Sequence, residues 1–347
     1  MEAAVTAALD EIERQLDWRV QHCRLAVAQP MAEEAVALQG EVLDEALLAW
    51  VAGQLAARFP GRQLDLAGVG VLSRPGTPPL TITTNLAGLH RGPTRTSEQL
   101  TELLNGEPVT PLRAEAGWRY VQQADGYLGW LHERYAATWP AVPPTHIICR
   151  AVTLLHSAPA GDAPLVGRVL AGTRVALDED PAGAWTRLTL AGGQSGWVAA
   201  AALRPLAQLP ADEAGRRAQI ARDAPQFMGV PYRWGGCTAL GIDCSGLAQL
   251  LHRLVGVTLP RDADMQFDAP AGTPIEPPFR PGDLLFFGSA QGHRTISHVG
   301  ISLGGWAMIH ASGPRNGVYV DDVQQADWLR QTFVGARTFL AAPRPGA

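Results

Sequence analysis

The chain of 347 residues contains no lysine, and all 28 of its basic residues are arginine. Because acidic residues number 33, the formal net charge is −5. A surface that binds nucleic acid needs an excess of positive charge, so this balance argues against a nucleic-acid partner. We attribute the missing lysine to genomic base composition and not to function.

Long apolar runs are also missing. No segment approaches the roughly 18 uninterrupted apolar residues of a membrane-spanning helix. Residues 1–13 include acidic side chains and lack the basic and apolar regions of a secretory signal peptide. We therefore predict a protein that has no membrane partner and that acts in the cytoplasm.

Cysteine is scarce and has no framework spacing, which excludes a small disulfide-stapled scaffold. The four cysteines are Cys23, Cys149, Cys237 and Cys244. Such a scatter fits a reducing compartment, in agreement with the predicted cytoplasmic location.

What is present indicates several α+β domains, since this length predicts two or three and a 46% hydrophobic content can fill their cores. Residues 1–74 read as a small α/β cap, to which we assign no activity. Its predicted elements are a helix through Leu16, a strand over 24–28, a helix over about 41–58 and an apolar run over 66–72.

A repeat follows the cap. The pattern Gly-x-x-Gly-Trp ends at Trp130 and again at Trp197, 67 residues later, and Trp118 and Trp185 stand at matching upstream positions. Further upstream, residues 104–109 match residues 170–175 at a spacing of 66. Short apolar runs bounded by such turns predict two small β-barrels.

Both barrels resemble bacterial SH3 domains, at about residues 75–140 and 145–208, joined at Pro143-Pro144. Barrels of this kind either tether an enzyme to the cell wall or pack on the catalytic domain and wall off part of its groove. The sequence leaves both roles open.

Cys244 stands where a tight turn leads into an amphipathic helix. Apolar residues recur at helical spacing after it, and Gly256 provides a stop. A thiol at a helix N-terminus faces unpaired backbone N–H groups and the positive end of the macrodipole, so we expect a lowered pKa for Cys244. A buried, inert cysteine is the alternative.

Two histidines lie downstream on a predicted hairpin with strands at 297–303 and 306–312. A three-residue loop, 303–305, would set His298 and His310 opposite each other on one face, whereas a strict two-residue turn would separate them. A cysteine that faces a histidine held by a third polar group is the general arrangement for acyl transfer.

Residues 209–347 resemble the NlpC/P60 cysteine peptidases. Several blocks occur in the order and at the spacing of that family: Pro231-Tyr232-Arg233-Trp234-Gly235-Gly236, Asp243-Cys244-Ser245-Gly246, Pro260-Arg261-Asp262, Pro281-Gly282-Asp283-Leu284 and the hairpin with two histidines. The resemblance implies a papain-like core that cleaves bacterial cell-wall stem peptides and needs neither a metal nor another cofactor.

The resemblance also implies roles for particular residues. Cys244 is the expected nucleophile, His298 the general base, His310 the orienting third residue and Tyr232 a hydrogen-bond donor near the oxyanion, beside the N–H of Cys244.

Four polar residues of the same blocks are expected to bind substrate: Asp243, Ser245, Arg261 and Asp262. Asp243 also suits a helix cap, and a surface ion pair is the alternative for Arg261 and Asp262. Ala263 stands where some relatives have serine.

Tandem barrels ahead of the peptidase resemble the γ-D-glutamyl-L-diamino acid endopeptidases, in which the first barrel helps to close a pocket around a free L-alanine amine. By position, Tyr127 and Glu98 are the expected contributors. The alternatives are a solvated turn aromatic for Tyr127 and a first-turn helix acid for Glu98. The implied partner is an L-Ala-γ-D-Glu-diamino acid peptide, and the oligomeric state is not assigned.

Three other functions compete with this one. A zinc site would use Cys237, Cys244, His298 and His310, but Cys-x6-Cys is wider than ordinary zinc spacings. A wall-binding protein with an inactive peptidase domain conflicts with the presence of every catalytic candidate. A broader lytic endopeptidase acting on polymeric wall would need an open amine end of the groove.

Overall fold

The fold is described from a computed structural model, which covers residues 1–28, 35–178, 183–288 and 295–341. In these ranges, six α-helices, α1 to α6, span Glu2–Gln15, Glu45–Arg58, Glu213–Asp223, Cys244–Arg253, Ala263–Asp268 and Asp327–Thr332. None of them is both long and apolar enough to cross a membrane.

Strands β1 to β12 span Cys23–Val27, Ala35–Val42, Gln63–Val71, Leu80–Ile82, Leu86–His90, Gln99–Leu104, Pro108–Glu115, Trp118–Gln123, Leu128–His132, Ala136–Ala137, His146–Ile148 and Val152–His156. Strands β13 to β25 span Leu165–Leu170, Arg174–Val175, Trp185–Thr189, Ser195–Ala199, Leu203–Pro205, Cys237–Thr238, Gly241–Ile242, Thr273–Ile275, Leu284–Gly288, Ile296–Gly304, Ala307–Ser312, Gly317–Asp322 and Phe333–Thr338. The mixture of helix and sheet confirms the predicted α+β class.

The chain forms two compact units. The first comprises residues 1–80, 90–97 and 108–134, and the second comprises residues 81–89, 98–107 and 135–347. The predicted four-domain boundaries do not follow this division and stay a prediction, and the predicted end of the last domain lies outside the described residues.

The first unit contains the cap, which has the predicted helices and strands. Strands β1 and β2 are antiparallel, and β2 runs parallel to β3 with helix α2 between them in the chain. Helix α2 begins at Glu45, later than predicted, because residues 41–42 complete β2 and Asp44 caps the helix by accepting a hydrogen bond from the Leu47 N–H. The apolar faces of α1 and α2 share a core with Trp118 and Trp130.

The predicted repeat consists of two hairpins with the same register. Strands β8 and β9 pair Trp118 with His132, and strands β15 and β16 pair Trp185 with Ala199, the positions 67 residues later. Gly126 and Gly193 occupy the matching turn position, and both have a φ of +89°. Only glycine adopts that φ readily, which explains why both copies keep it.

The second unit contains the second barrel and the predicted peptidase. The barrel consists of the sheets β14-β11-β17 and β13-β12-β16-β15 around its own core. The peptidase part has an antiparallel six-stranded sheet in the order β20-β25-β21-β22-β23-β24. Helix α4 packs its apolar side on this sheet, with Leu247 and Leu251 in the same core as Ile301 and Ile309. This packing brings the start of α4 against the histidine hairpin.

Candidate active site

Cys244 is the first residue of α4, as predicted. Asp243 caps the helix by accepting a 2.7 Å hydrogen bond from the Gly246 N–H. A Cβ atom at Gly246 would lie 2.2 Å from the carbonyl oxygen of Gly236, which itself accepts from the Asp243 N–H. The glycine in Asp-Cys-Ser-Gly is therefore required because a backbone carbonyl approaches it too closely for any side chain.

The thiol of Cys244 is buried between α4 and β22. The backbone N–H groups of Ser245 and Val299 point to it and favour the thiolate. Burial opposes them more strongly, the Asp243 carboxylate adds to its effect, and the pKa of Cys244 rises to about 12. The predicted lowering of this pKa is therefore wrong, because desolvation outweighs the helix N-terminus.

The histidine hairpin differs from prediction in its loop. Strand β22 continues to Gly304, which pairs with Ala307, so only Gly305 and Trp306 turn the chain, and the pairing shifts between Ser302 and Gly304. A strict two-residue turn would place the two histidines on opposite faces, and the one extra residue that this bulge adds to β22 brings His298 to the same face as His310. The histidines consequently share a face, as expected, although they are diagonal neighbours and not directly opposite.

A chain of hydrogen bonds leads from His298 to a carboxylate. His298 Nε2 lies 2.8 Å from His310 Nδ1, and His310 Nε2 lies 2.9 Å from Asp321 Oδ2. Arg315 Nη1 pairs with both Asp321 oxygens, at 2.7 and 2.9 Å. Asp321 was not predicted. Strand alternation after His310 could have suggested it, because His310 pairs with Tyr319 on β24 and Asp321 has the same parity.

Burial keeps both histidines neutral. It lowers the pKa of His298 to about 3, with His310 adding to the shift, and it lowers the pKa of His310 against the opposing effect of Asp321. The rings of Trp328 and Phe287 lie beside His298, with centroids 5.8 Å from its centroid in each case. In both histidines, burial therefore favours the neutral form of the imidazole.

Asp243, Ser245 and Arg261 form a buried network beside the thiol. Arg261, only 2% exposed, donates to both Asp243 oxygens, at 2.6 and 3.1 Å, and to Ser245 Oγ at 2.8 Å. The surface alternative for Arg261 is therefore wrong. These bonds all run to protein atoms, and the predicted substrate contacts of the three residues stay predictions.

Tyr232 and Asp262 flank this network. Tyr232 bridges to Ile242, two residues before the nucleophile. Burial, followed by the charges of Cys244 and Asp243, raises the pKa of Tyr232, so its phenol remains a hydrogen-bond donor. Asp262 precedes α5 as its cap residue, is half-buried, and interacts electrostatically with Arg261.

The two predicted amine-pocket residues lie in different units. Tyr127 is buried in the first unit, just before β9, and is not a solvated turn residue. Glu98 is in the second unit, immediately before β6 and outside any helix, and its carboxylate accepts a 2.9 Å hydrogen bond from the indole of Trp234. Trp234 itself is 61% exposed.

Strand β6 contributes residues that the sequence did not identify. Gln99 accepts from Arg233 and donates to the Gly235 carbonyl. Thr101 accepts from Arg261 Nε at 2.8 Å, and Glu102 accepts from the Cys237 N–H at 3.0 Å and the Thr238 hydroxyl at 3.2 Å. No local pattern marks them, since their partners lie over 130 residues away in the chain.

Across the described ranges, no group of three or more histidine, cysteine or acidic residues is arranged to hold a metal ion. The nitrogens that join His298 to His310 bond each other. The site instead has the arrangement of a cysteine hydrolase. It contains a buried thiol with backbone donors and two hydrogen-bonded imidazoles, the second of which bonds to a carboxylate.

Comparison with known proteins agrees with this class. The NlpC/P60 family matches residues 229–337, a bacterial dipeptidyl-peptidase SH3 domain matches residues 89–134, and a bacterial SH3 domain matches residues 152–204. Dipeptidyl-peptidase 6 of Lysinibacillus sphaericus is 30% identical over 251 residues, which cover 69% of this chain and 90% of that protein. The chain belongs to the NlpC/P60 family of peptidases, with two bacterial SH3 domains, as the resemblance predicted.

Two further comparisons extend over most of the chain. A gamma-D-glutamyl-L-lysine dipeptidyl-peptidase of Bacillus cereus is 25% identical over 256 residues, or 69% of this chain and 75% of that protein. The crystal structure of an NlpC/P60 family protein from Bacillus cereus matches with a TM-score of 0.66 and 21% identity, covering 76% of this chain and all of that one. The structural match concerns the fold. The relatives support a peptidoglycan endopeptidase.

Proposed function

We propose that this enzyme hydrolyses the γ-D-glutamyl–L-diamino acid bond of peptidoglycan stem peptides that have a free N-terminal L-alanine, as part of cell-wall peptide recycling. The observation on which the proposal rests is the position of β6. This strand, from the predicted first barrel, bonds to the loop that leads into Cys244 through Gln99 and Glu102, and to Arg261 through Thr101.

This arrangement supports a peptidase whose groove is bounded by a barrel strand. Glu98, directly before β6, holds a carboxylate beside the exposed Trp234 on the same loop. A carboxylate in that place suits the ammonium group of a free N-terminus, whereas an N-acylated or glycan-linked peptide offers no charge to it. The relatives include dipeptidyl-peptidases, which is consistent with this proposal.

In the proposed mechanism, the sulfur of Cys244 attacks the amide carbonyl while His298 accepts the thiol proton. The oxyanion receives hydrogen bonds from the Cys244 N–H and the Tyr232 hydroxyl. His298 then gives its proton to the leaving amine of the diamino acid, and a thioester remains. Water, deprotonated by the same histidine, hydrolyses that thioester.

Mass spectrometry of the products tests the proposal. The substrates are L-Ala-γ-D-Glu-diamino acid tripeptide, its N-acetylated form and intact peptidoglycan. We expect release of L-Ala-D-Glu from the free tripeptide alone and no cleavage by Cys244→Ala. Cleavage of the acetylated peptide or of polymer would favour the lytic alternative, and cleavage by folded Cys244→Ala would refute the nucleophile.

We also propose a cytoplasmic location. All four cysteines are free of disulfides, which fits a reducing compartment. Fractionation of the native host with antibodies against the full chain tests this, and recovery in the medium or the wall fraction would contradict it.

A further inference from the structure

The hydrogen-bond chain behind His298 ends on a residue that the family resemblance did not supply. Asp321 lies on β24, accepts from His310 across the strand pair, and is held by Arg315 from the preceding turn. Arg315 in turn stacks on Tyr319, with its guanidinium 3.9 Å from the ring centroid. The carboxylate is thereby fixed in position as well as paired.

The Asp321 carboxylate determines which atom donates and which accepts in each hydrogen bond between His298, His310 and Asp321. His310 and Arg315 lower the pKa of Asp321 against the effect of burial, so it is ionised at neutral pH and only accepts hydrogen bonds. His310 Nε2 must therefore hold a proton. Since His310 is neutral, its Nδ1 has a lone pair and must accept from His298 Nε2. A neutral His298 with a proton on Nε2 has none on Nδ1.

We propose that Asp321, braced by Arg315, is a positioning residue that sets the tautomers of both histidines, leaving Nδ1 of His298 as the proton acceptor for the Cys244 thiol. The groups that face His310 are His298 from β22, Asp321 and Arg315 from β24 and its turn, and Trp328 from α6. Among these groups, Asp321 is the one that accepts a hydrogen bond at Nε2 of His310.

His298 can accept a proton while its hydrogen bond to His310, and that of His310 to Asp321, stay unchanged. When the thiol proton reaches Nδ1, Nε2–H of His298 still donates to His310, and Nε2–H of His310 still donates to Asp321. The imidazolium therefore forms while the rest of the chain stays fixed, and the same proton is then available to the leaving amine. The inference rests on the thiol peptidase chemistry and not on which peptide is cut.

Replacing the Asp321 carboxylate by an amide tests the donor and acceptor directions of these hydrogen bonds. In Asp321→Asn the amide can donate to His310 Nε2, which permits the reverse orientation and puts a proton on Nδ1 of His298. By analogy with other triads that lose their orienting acid, we expect kcat to fall about 100-fold or more, with KM changed less than about threefold. Asp321→Glu should recover part of the lost kcat.

The matched control is Asp322→Asn on the same strand. Adjacent strand residues face opposite sides, and the Asp322 carboxylate accepts a local hydrogen bond from the Gln324 N–H, which an amide oxygen can also accept. We expect this variant to keep wild-type kcat. A general effect of amide substitution on β24 would instead lower kcat in both variants, which would overturn a specific role for Asp321.

Nitrogen NMR of the histidine rings in the wild-type chain gives a readout that needs neither substrate nor a variant. We expect Nε2 protonated and Nδ1 unprotonated in both His298 and His310 at neutral pH, and a changed or mixed pattern in Asp321→Asn. Protonation of His310 on Nδ1 in wild type, or a folded Asp321→Asn enzyme with kcat within about threefold of wild type, would overturn the proposal. Because the NMR readout is independent of cleavage, a wrong substrate would leave it standing.

Discussion

The two SH3 repeats contain the same strand in two different settings. At the spacing of 66 residues, β6 corresponds to β13, and both end in a buried apolar pair, Leu103-Leu104 and Val169-Leu170. Upstream of that pair they diverge: Thr101 and Glu102 of β6 are buried and bond to Arg261 and Cys237, whereas Arg168, which matches Glu102, is exposed.

This difference separates what the barrel fold needs from what the site needs. The apolar pair at the end of each strand is buried in both copies, and Val169 belongs to the core of the second barrel. The polar residues Thr101 and Glu102 of β6 bond instead to Arg261 and Cys237, which lie outside the barrel and far away in the chain. Strand β6 thus contributes polar residues to the surroundings of the candidate site, whereas the matching residue of β13, Arg168, is exposed.

The largest expected effect comes from breaking the link between β6 and the nucleophile at Arg261. Arg261→Met leaves the buried Asp243 carboxylate without its partner, and we expect about 3–5 kcal/mol of lost stability with loss of activity. Arg330→Met is the matched control, since Arg330 and Asp327 form an exposed pair, and it should cost less than about 1 kcal/mol. Urea unfolding measures both, and similar losses would remove Arg261 from its structural role.

Acid sensitivity should be concentrated in the peptidase part. Burial lowers the pKa of His252 to about 4, so between pH 6.5 and 4 the unfolded chain binds a proton that the folded chain does not. Stability from this group is therefore full above pH 6.5 and falls as pH falls, by about 3 kcal/mol.

Unfolding of wild type and His252→Gln at pH 7 and pH 4 measures the contribution of His252 to the loss of stability in acid. The variant should lose less stability on acidification, although it starts lower. An equal loss in both proteins would show that His252 does not titrate as its burial requires, and the remaining loss in the variant would report the other buried histidines.

Removing the Glu102 carboxylate tests directly whether β6 and β13 differ in their contribution to stability. Glu102→Ala leaves the Cys237 N–H and the Thr238 hydroxyl without their acceptor, which should cost about 1–3 kcal/mol. Arg168→Ala, at the matching position of β13, should stay within about 0.5 kcal/mol of wild type. Thermal unfolding of both variants provides the test, and equal costs would mean that β6 and β13 play equivalent roles.

The smallest expected effect concerns the amine. Glu98→Gln keeps an oxygen for the Trp234 indole but removes the charge, so KM for the free tripeptide should rise about 10-fold, the value of a charge-assisted hydrogen bond. Steady-state kinetics of the free tripeptide measures both constants, and kcat serves as the control because it should change less than about threefold. An unchanged KM would exclude Glu98 from amine recognition.

Local sequence predicted the elements that depend on neighbours in the chain. The start of α4 at Cys244, the histidine strands and the two repeat hairpins all follow from periodicity, caps and turn glycines. The bulge after Ser302 escaped prediction, because either loop length suits the same glycines, and only the pairing with β23 distinguishes them.

By itself, the sequence therefore determined the peptidase motif, the α+β class and the order of its barrels, since short-range patterns encode each of them. Only the tertiary structure decided that Asp321 lies behind His310, that Thr101 and Glu102 bond to Arg261 and to the loop before Cys244, and that the pKa of Cys244 is raised and not lowered. The physical reason is that burial and hydrogen-bond partners are properties of the packed chain. Desolvation at the thiol exceeds the local effect of the helix N-terminus. The partners of Thr101 and Glu102 lie over 130 residues away in the chain, and the pairing of β23 with β24 decides which side chain meets His310.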